Sequence, residues 1–287
     1  MNTISTYSYR RKYRLSTLDV LLRKAMIAEK VCEVNRTGLK YIDSPYGSQP
    51  TATVQAIAGT YTVSSFTLTD ELLTVSDEFI ISEHILDFEQ SLANFDVYAS
   101  RVDEMNASVA MALDKWVLNE LCEGGNATYT TPAGGFTTAA NIPVIMSNLI
   151  SKVAGYADVY KGLYLVIENT DVPGFIQSGA ASGFNFADAW LNNGWMANYM
   201  GVEVYVVRTG TFVDAAATTV SGSKTWTNSG HRVFGVKNVS TYAAPVNIKY
   251  EEKLVTLKTG TEVVVYGYCG YKPWIPKYDL TVDLTLA

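Results

Sequence analysis

The sequence predicts an α+β chain, and three observations carry that reading. A helix-patterned stretch runs from about His84 to Cys122, with no proline or glycine before Gly124. A second amphipathic segment starts at Asn141, with Pro143 in its first turn. From Gly162 onward, buried-strand and alternating-strand patterns dominate up to the C-terminal YDLTVDLTLA. Helices and strands mixed in this order must be layered against one another to bury their apolar sides.

The N-terminal arm opens with an aromatic and basic run containing Arg10, Arg11, Lys12 and Arg14. Ser16 or Thr17 can cap a short helix whose apolar face is Leu18, Leu21, Leu22, Ala25 and Met26, ending before Gly38. Tyrosines in such a run could stack on single-stranded bases, but docking of the arm on a neighbouring copy is the favoured expectation. Residues 43–65 interleave β-branched Thr and Val with small polar residues and contain Gly47 and Gly59. That composition suits two long strands of a poorly cored hairpin that must lean on something else. Residues 66–87 then read as strand and short-helix patterning.

In the long stretch, Phe88, Phe95, Val102, Val109 and Trp116 recur every seven residues. Leu92, Ala99, Met105 and Leu113 fill the turns between, giving one apolar stripe. Asp87, Asp96, Asp103 and Glu104 are expected on its solvated or neighbour-facing side. A Gly/Thr/Ala-rich connector leads to the second helix, whose apolar positions are Ile142, Ile145, Met146, Leu149, Ile150 and Val153, with Gly155 as its stop. LYLVIE reads as a buried strand, and Val172–Gln177 as a short helix. Gly201 stands directly before a strand with Val202, Val204 and Val206 on one side and Tyr205 and Val207 on the other.

Composition sets bounds. With 287 residues, 48% of them hydrophobic and 17% charged, the chain has ample material for a core. No window of 18 apolar residues occurs, and MNTISTYSYRRKYR lacks an apolar signal core, so a soluble, non-secreted chain without membrane contact is expected. Cys32, Cys122 and Cys269 are odd in number and far apart, and read as reduced structural thiols. Charge is unevenly spread: residues 1–40 hold nine Lys/Arg against three Asp/Glu, whereas residues 41–100 hold nine Asp/Glu and no Lys or Arg. A basic arm and an acidic stretch in one chain point to pairing between copies, and a net charge of −6 argues against a body that wraps duplex DNA.

A search for chemistry returns little. Two histidines, His84 and His231, cannot build an imidazole metal cluster, and both read as surface or turn residues. GxSxG, GxxxxGK[ST] and GxGxxG between strand and helix are all missing. The carboxylate pairs, Asp70-Glu71, Asp77-Glu78, Glu83-Asp87 and Asp103-Glu104, carry no geometry that marks a glycosidase. Trp190, Trp195, Trp226 and Trp274 could line a groove, though packing at edges and interfaces is the commoner role of such residues. Neither an enzyme nor a cofactor is expected.

The order of parts resembles the Hong Kong 97 type of major capsid protein of tailed bacteriophages. Two local matches carry the resemblance: DEFIISEHILDFEQSLANFDVYASRVDEMNASVAMALDKWVLNEL at the position of that family's spine helix, and Gly194, Gly201, Val202 and Val204 at the start of a strand in its A-domain. The resemblance implies an N-terminal arm at 1–40, an E-loop at 41–65, a P-domain at 66–137 and 246–287 with a spine helix at about 84–122, and an A-domain at 138–245. It implies a coat protein whose hexamers and pentamers close an icosahedral shell around double-stranded DNA, held through non-specific contacts.

In that arrangement Arg10, Arg11, Lys12 and Arg14 face a neighbour or nucleic acid, Tyr46, Val54, Ile57 and Tyr61 make E-loop contacts between subunits, and the stripe from Phe88 to Trp116 is core. A portal and a separate scaffolding protein are the further partners implied, the chain beginning almost at the arm. Assembly in the host cytoplasm and residence in the virion follow. No lysine lies between Tyr41 and Asp114, so the covalent cross-linking of some relatives is not expected unless Lys40 serves. The competing readings are an encapsulin-like compartment shell, a tail or baseplate component, and an α/β hydrolase-type enzyme.

Overall fold

The computed structural model describes residues 27–47, 59, 66–86, 97–125, 127–156, 159, 161–181, 195–214, 226–244, 249–254 and 260–287. The first elements are α1 (Ala28–Val31), β1 (Glu33–Asn35), β2 (Tyr41–Gly47), β3 (Leu68–Thr74), β4 (Asp77–Ile85) and α2 (Val97–Glu123). Next come β5 (Ala127–Thr130), α3 (Asn141–Val153), β6 (Leu163–Glu168), α4 (Val172–Ala181), β7 (Trp195–Tyr199) and β8 (Val202–Val207). The chain closes with β9 (His231–Val236), β10 (Ser240–Ala243), β11 (Lys249–Leu254), β12 (Thr261–Pro273) and β13 (Thr281–Thr285).

A six-stranded sheet has the order β5-β13-β9-β6-β8-β7. Strand β6 lies inside it, and all six of its residues are buried because both faces are covered. On one face Leu163, Leu165, Ile167, Val202, Val204 and Val206 pack with Ile142, Ile145, Met146 and Leu149 of α3 and Phe175 of α4. On the other, Tyr164, Val166, Tyr205, Val207 and Val233 pack with α2. The alternation expected for 202–207 is therefore realised, one set of side chains per core. Between β7 and β8 the chain reverses through Met200 and Gly201, both with positive φ, at 52° and 80°. Two such residues form the kind of tight turn whose twist matches its flanking strands.

A five-stranded sheet is organised around β12. That 13-residue strand pairs antiparallel with β10, β11 and β4, and β1 adds to β10 in parallel. Helix α2 lies between the two sheets. Its 27 residues span about 40 Å at 1.5 Å per residue. Met105, Val109, Leu113, Trp116, Val117, Leu118 and Leu121 are buried along it, and the Trp116 ring meets Phe79 of β4 edge-on at 6.5 Å. Burying side chains of this size contributes about 1.5–3 kcal/mol each.

The structure corrects the expected start of the long helix. Residues 77–85 form strand β4, antiparallel to 261–269. Phe79, Ile81 and Ile85 turn toward α2 while Glu78 and Ile80 stay exposed, a two-residue period that the helical reading of 84–122 overlooked. His84 is thus a strand residue, and Ala99, placed on the stripe, is exposed. Val102, Val109 and Trp116 do line the core, whereas Phe88, Leu92 and Phe95 lie outside the described residues. No helix occurs within 66–86, where strands β3 and β4 fill the segment. The hairpin expected within 43–65 pairs differently as well, since β2 takes β3 as its partner, beyond the expected limit. The predicted Val172–Gln177 helix extends to Ala181, and the expected connector after Gly125 includes strand β5.

Candidate assembly surfaces

The β2–β3 hairpin has two unlike faces. Its register pairs Tyr41 with Thr74, Asp43 with Leu72, Pro45 with Asp70 and Gly47 with Leu68, and every one of these residues is exposed. Tyr41, Leu68 and Leu72 are 53%, 59% and 47% exposed, and Phe66, at 72%, lies across Gly47. A Cβ at Gly47 would sit 2.3 Å from the Phe66 ring, so a larger residue there would push that exposed ring aside. The outward face is therefore an apolar strip edged by Asp43 and Asp70. Apolar side chains of this size left in water together mark an interaction surface.

The inward face anchors the hairpin. Leu73 is buried with Ala243 and Trp274, and Ile42 and Val75 pack around them. Trp274 Nε1 donates to Thr241 Oγ1 at 2.8 Å. Glu71, buried, accepts the Ile275 N–H at 2.9 Å, and Lys272 Nζ stands 3.7 Å from its other oxygen. A second exposed apolar area lies on the outer side of the five-stranded sheet, where Ile80 of β4 is 60% exposed and pairs with Tyr266 of β12. The Tyr266 ring meets Tyr268 edge-on at 5.8 Å, and Tyr266 Oη donates to Glu251 at 2.8 Å.

Helix α2 is tied down at several points by side chains of its own chain. Near its start, Arg101 Nε donates to Glu83 Oε2 at 2.8 Å, and its terminal nitrogens reach Glu83 and Glu104. Glu104, expected to face solvent or a neighbour, is thus engaged within the chain, while Asp103 is exposed. Asp87 and Asp96 lie outside the described residues. Midway, Asp114 Oδ1 accepts the Ala28 N–H at 2.7 Å. Toward its end, Asn119 accepts the Val213 N–H at 3.2 Å, and Glu120 accepts Trp226 Nε1–H at 2.7 Å.

A buried ionic knot joins the six-stranded sheet to the loop after β8. Arg232 Nε donates to Asp171 at 2.5 Å and Arg232 Nη2 to Glu168 at 3.2 Å, with all three side chains under 10% exposed. Glu168 Oε1 also takes backbone N–H groups of Gly210 and Thr211 at 2.9 and 3.1 Å. Such a cluster is tolerable in a core because each charge has both an opposite partner and hydrogen bonds. His231, read as a turn residue, starts β9 and holds Asp283 through Nδ1 at 2.9 Å. Burial raises the Asp283 carboxyl above its ordinary range, and His231 pulls it part of the way back.

Cys32, Cys122 and Cys269 form no disulfide and are buried, and burial pushes the Cys32 thiol up to about 12. Trp226 and Trp274 are core residues, not groove liners. Among the described residues no group of three or more His, Cys, Asp or Glu could hold a metal ion. No helix there is long and apolar enough to cross a membrane.

Of the expected contact residues, Tyr46 lies on β2, half-buried, opposite Thr69. Val54, Ile57, Tyr61, Arg10, Arg11, Lys12 and Arg14 lie outside the described residues. The exposed apolar set of Phe66, Leu68, Leu72 and Ile80 was missed. The alternation within FTLTDELLT was the available signal, since Phe66, Leu68 and Leu72 share one strand parity.

No family model matches the chain, and no curated protein matches its sequence. Solved structures do match its fold. The capsid of the cyanophage P-SCSP1u has a TM-score of 0.68 at 15% identity, over 96% of this chain and 93% of that one. The mature capsid of bacteriophage PhiM1 has a TM-score of 0.70 at 10% identity, over 92% and 87%. The capsid of the empty GTA particle has a TM-score of 0.68 at 14% identity, over 99% and 97%. The chain has the α+β fold of these capsid structures along nearly its whole length.

Proposed function

We propose that this chain is the major capsid protein of a tailed bacteriophage, a structural protein without catalytic activity. Copies assemble into hexamers and pentamers of an icosahedral shell that encloses double-stranded DNA. The observation that carries this reading is the shared fold with phage capsids over nearly the full length of both chains. In this reading α2 is the spine helix and the β2–β3 hairpin is the root of the E-loop. The five-stranded sheet belongs to the P-domain and the six-stranded sheet to the A-domain. The basic arm with Arg10, Arg11, Lys12 and Arg14 reaches a neighbouring subunit or nucleic acid.

The hairpin geometry supports the same reading. The inward side of the hairpin is held on the body by Leu73 and Glu71, while the strip of Tyr41, Phe66, Leu68 and Leu72 on its other side stays in water and suits a partner surface. In a closed shell, copies of one chain meet through similar contacts repeated many times, and contacts spread over extended elements need no single deep pocket. Negative-stain microscopy and gel filtration of the purified protein test the proposal. Closed particles, or ring-shaped capsomers, are expected, formed in the host cytoplasm and ending as the virion shell. Elution as a single small globular oligomer, with no rings or shells under any salt condition, would overturn it. Particles that hold a cargo enzyme and no DNA would instead identify a compartment shell.

A further inference from the structure

Cations gather where the N-terminal segment joins the fold. Asp114, which holds the Ala28 N–H, also lines a cleft of about 190 Å³ together with Lys115 of α2 and residues Val207 to Thr211. Arg208, exposed, stands on the far lip, and Lys115 is half-buried on the near one. Two residues before Val207, on the same side of β8, the Tyr205 ring carries Lys30 Nζ at 5.6 Å and Lys237 Nζ at 5.5 Å from its centre. Lys237 also reaches Glu203 at 2.5 Å. Lys30, Lys115, Arg208 and Lys237 thus lie around this junction together with three carboxylates: Glu203, the buried Asp114, and Glu168, whose Oε1 accepts the Gly210 and Thr211 N–H groups and whose charge favours the Lys115 ammonium.

We propose that this surface, formed by Lys30, Lys115, Arg208 and Lys237, is where the chain meets the phosphate backbone of duplex DNA. The proposal rests on the capsid reading and names the face that would look onto the packaged nucleic acid. From Tyr205 to Arg208 the strand covers about 10 Å, a length over which a duplex presents about six phosphate charges. The chain as a whole carries −6, so a polyanion can be met only where positive charge is locally concentrated. None of the cleft residues is among the exposed large apolar side chains, which sets this surface apart from the hairpin strip. The hairpin calls for an apolar partner, and this surface for a charged one. Burial lowers the Lys115 ammonium below its ordinary range, Glu168 pulls it part of the way back, and a phosphate alongside would relieve more of that cost.

The test uses the full chain and a fluorescent random-sequence duplex of about 30 base pairs, followed by anisotropy between about 50 and 200 mM NaCl. Changing Lys115→Gln and Arg208→Gln together is expected to lower the slope of log affinity against log salt by about two. Lys40→Gln with Lys152→Gln, changed as a control, is expected to leave the slope as it was. The proposal is overturned if the first pair keeps the wild-type slope, if the control pair lowers it equally, or if the wild-type chain binds no duplex at the lowest salt. It is also overturned if the first pair weakens association between copies and leaves duplex binding intact. Microscopy of the same preparations separates the two readings. Capsomer rings or shells with an unchanged slope sink this proposal alone, whereas duplex binding that responds as expected from a single small globular oligomer, with no rings or shells, sinks the capsid reading.

Discussion

The Ala28 N–H and Asp114 Oδ1 meet at 2.7 Å across 86 positions of sequence, joining the first described helix to the middle of the longest one. Around that bond Ile27, Ala28, Val31 and Cys32 are buried in the core that holds Val109, Leu113 and Trp116. Residues 27–32 are therefore part of the body.

Asp114→Ala should leave the Ala28 N–H unsatisfied in a buried position and cost about 1–3 kcal/mol. Asp114→Asn keeps an acceptor oxygen and should recover most of that loss. Urea unfolding of both variants checks the difference. Equal stability of the alanine variant and wild type would show that the bond contributes nothing.

Phe66→Ser with Leu72→Ser removes exposed apolar surface and should shift the unfolding free energy of the unassembled chain by no more than about 0.5 kcal/mol. Assembly should suffer instead, with fewer closed particles per field in electron micrographs. A variant that unfolds more easily but still closes shells at the wild-type yield would contradict the placement of these side chains.

Arg232→Met strips the cation from a knot in which Glu168 and Asp171 remain buried. Removing one partner of such a cluster costs about 3–5 kcal/mol, because the remaining charges are left uncompensated. Replacing all three together by apolar residues of similar size should be far milder. Denaturant midpoints of the single and triple variants decide between a knot that stabilises and one that is merely tolerated.

Asp283 gives a pH dependence with a definite sign. Its carboxyl is raised in the fold, mainly by burial, so its contribution is most favourable below the unfolded value of about 4 and is lost as pH rises through the folded one. Asp283→Asn removes the ionisation and keeps an oxygen for His231 Nδ1–H. The variant should gain stability relative to wild type as pH climbs from about 4 to 7. A difference between the two that stays constant across that range, followed by circular dichroism in urea, would count against the buried charge.

Much of the fold is legible in local patterns. Pro143 and the spacing of Ile142, Ile145, Met146 and Leu149 mark α3, and the alternation after Gly201 marks β8, because each segment meets its core with one simple period. The stretch 77–85 misleads because IISEHI satisfies a period of two and also continues the helical spacing behind it. What decides is its partner, 261–269, nearly two hundred residues away. The hairpin's returning strand is hidden for a related reason, since 66–74 fits strand and short helix alike until its pairing with 41–47 decides. The cation surface could not be read from the sequence at all. Lys30, Lys115, Arg208 and Lys237 are scattered along the chain and meet only through the packing of β8 against α2.

Strand β4 follows the hairpin after a two-residue step and pairs with β12 over nine residues. Ladder hydrogen bonds lie across the strands, so tension drawn along β4 loads the whole ladder in shear instead of opening it one bond at a time. A tug on the hairpin is thus carried into β12, which is laced on its other side to β11 and farther along to β10. The hairpin is joined to a ladder that meets a pull along the chain in shear.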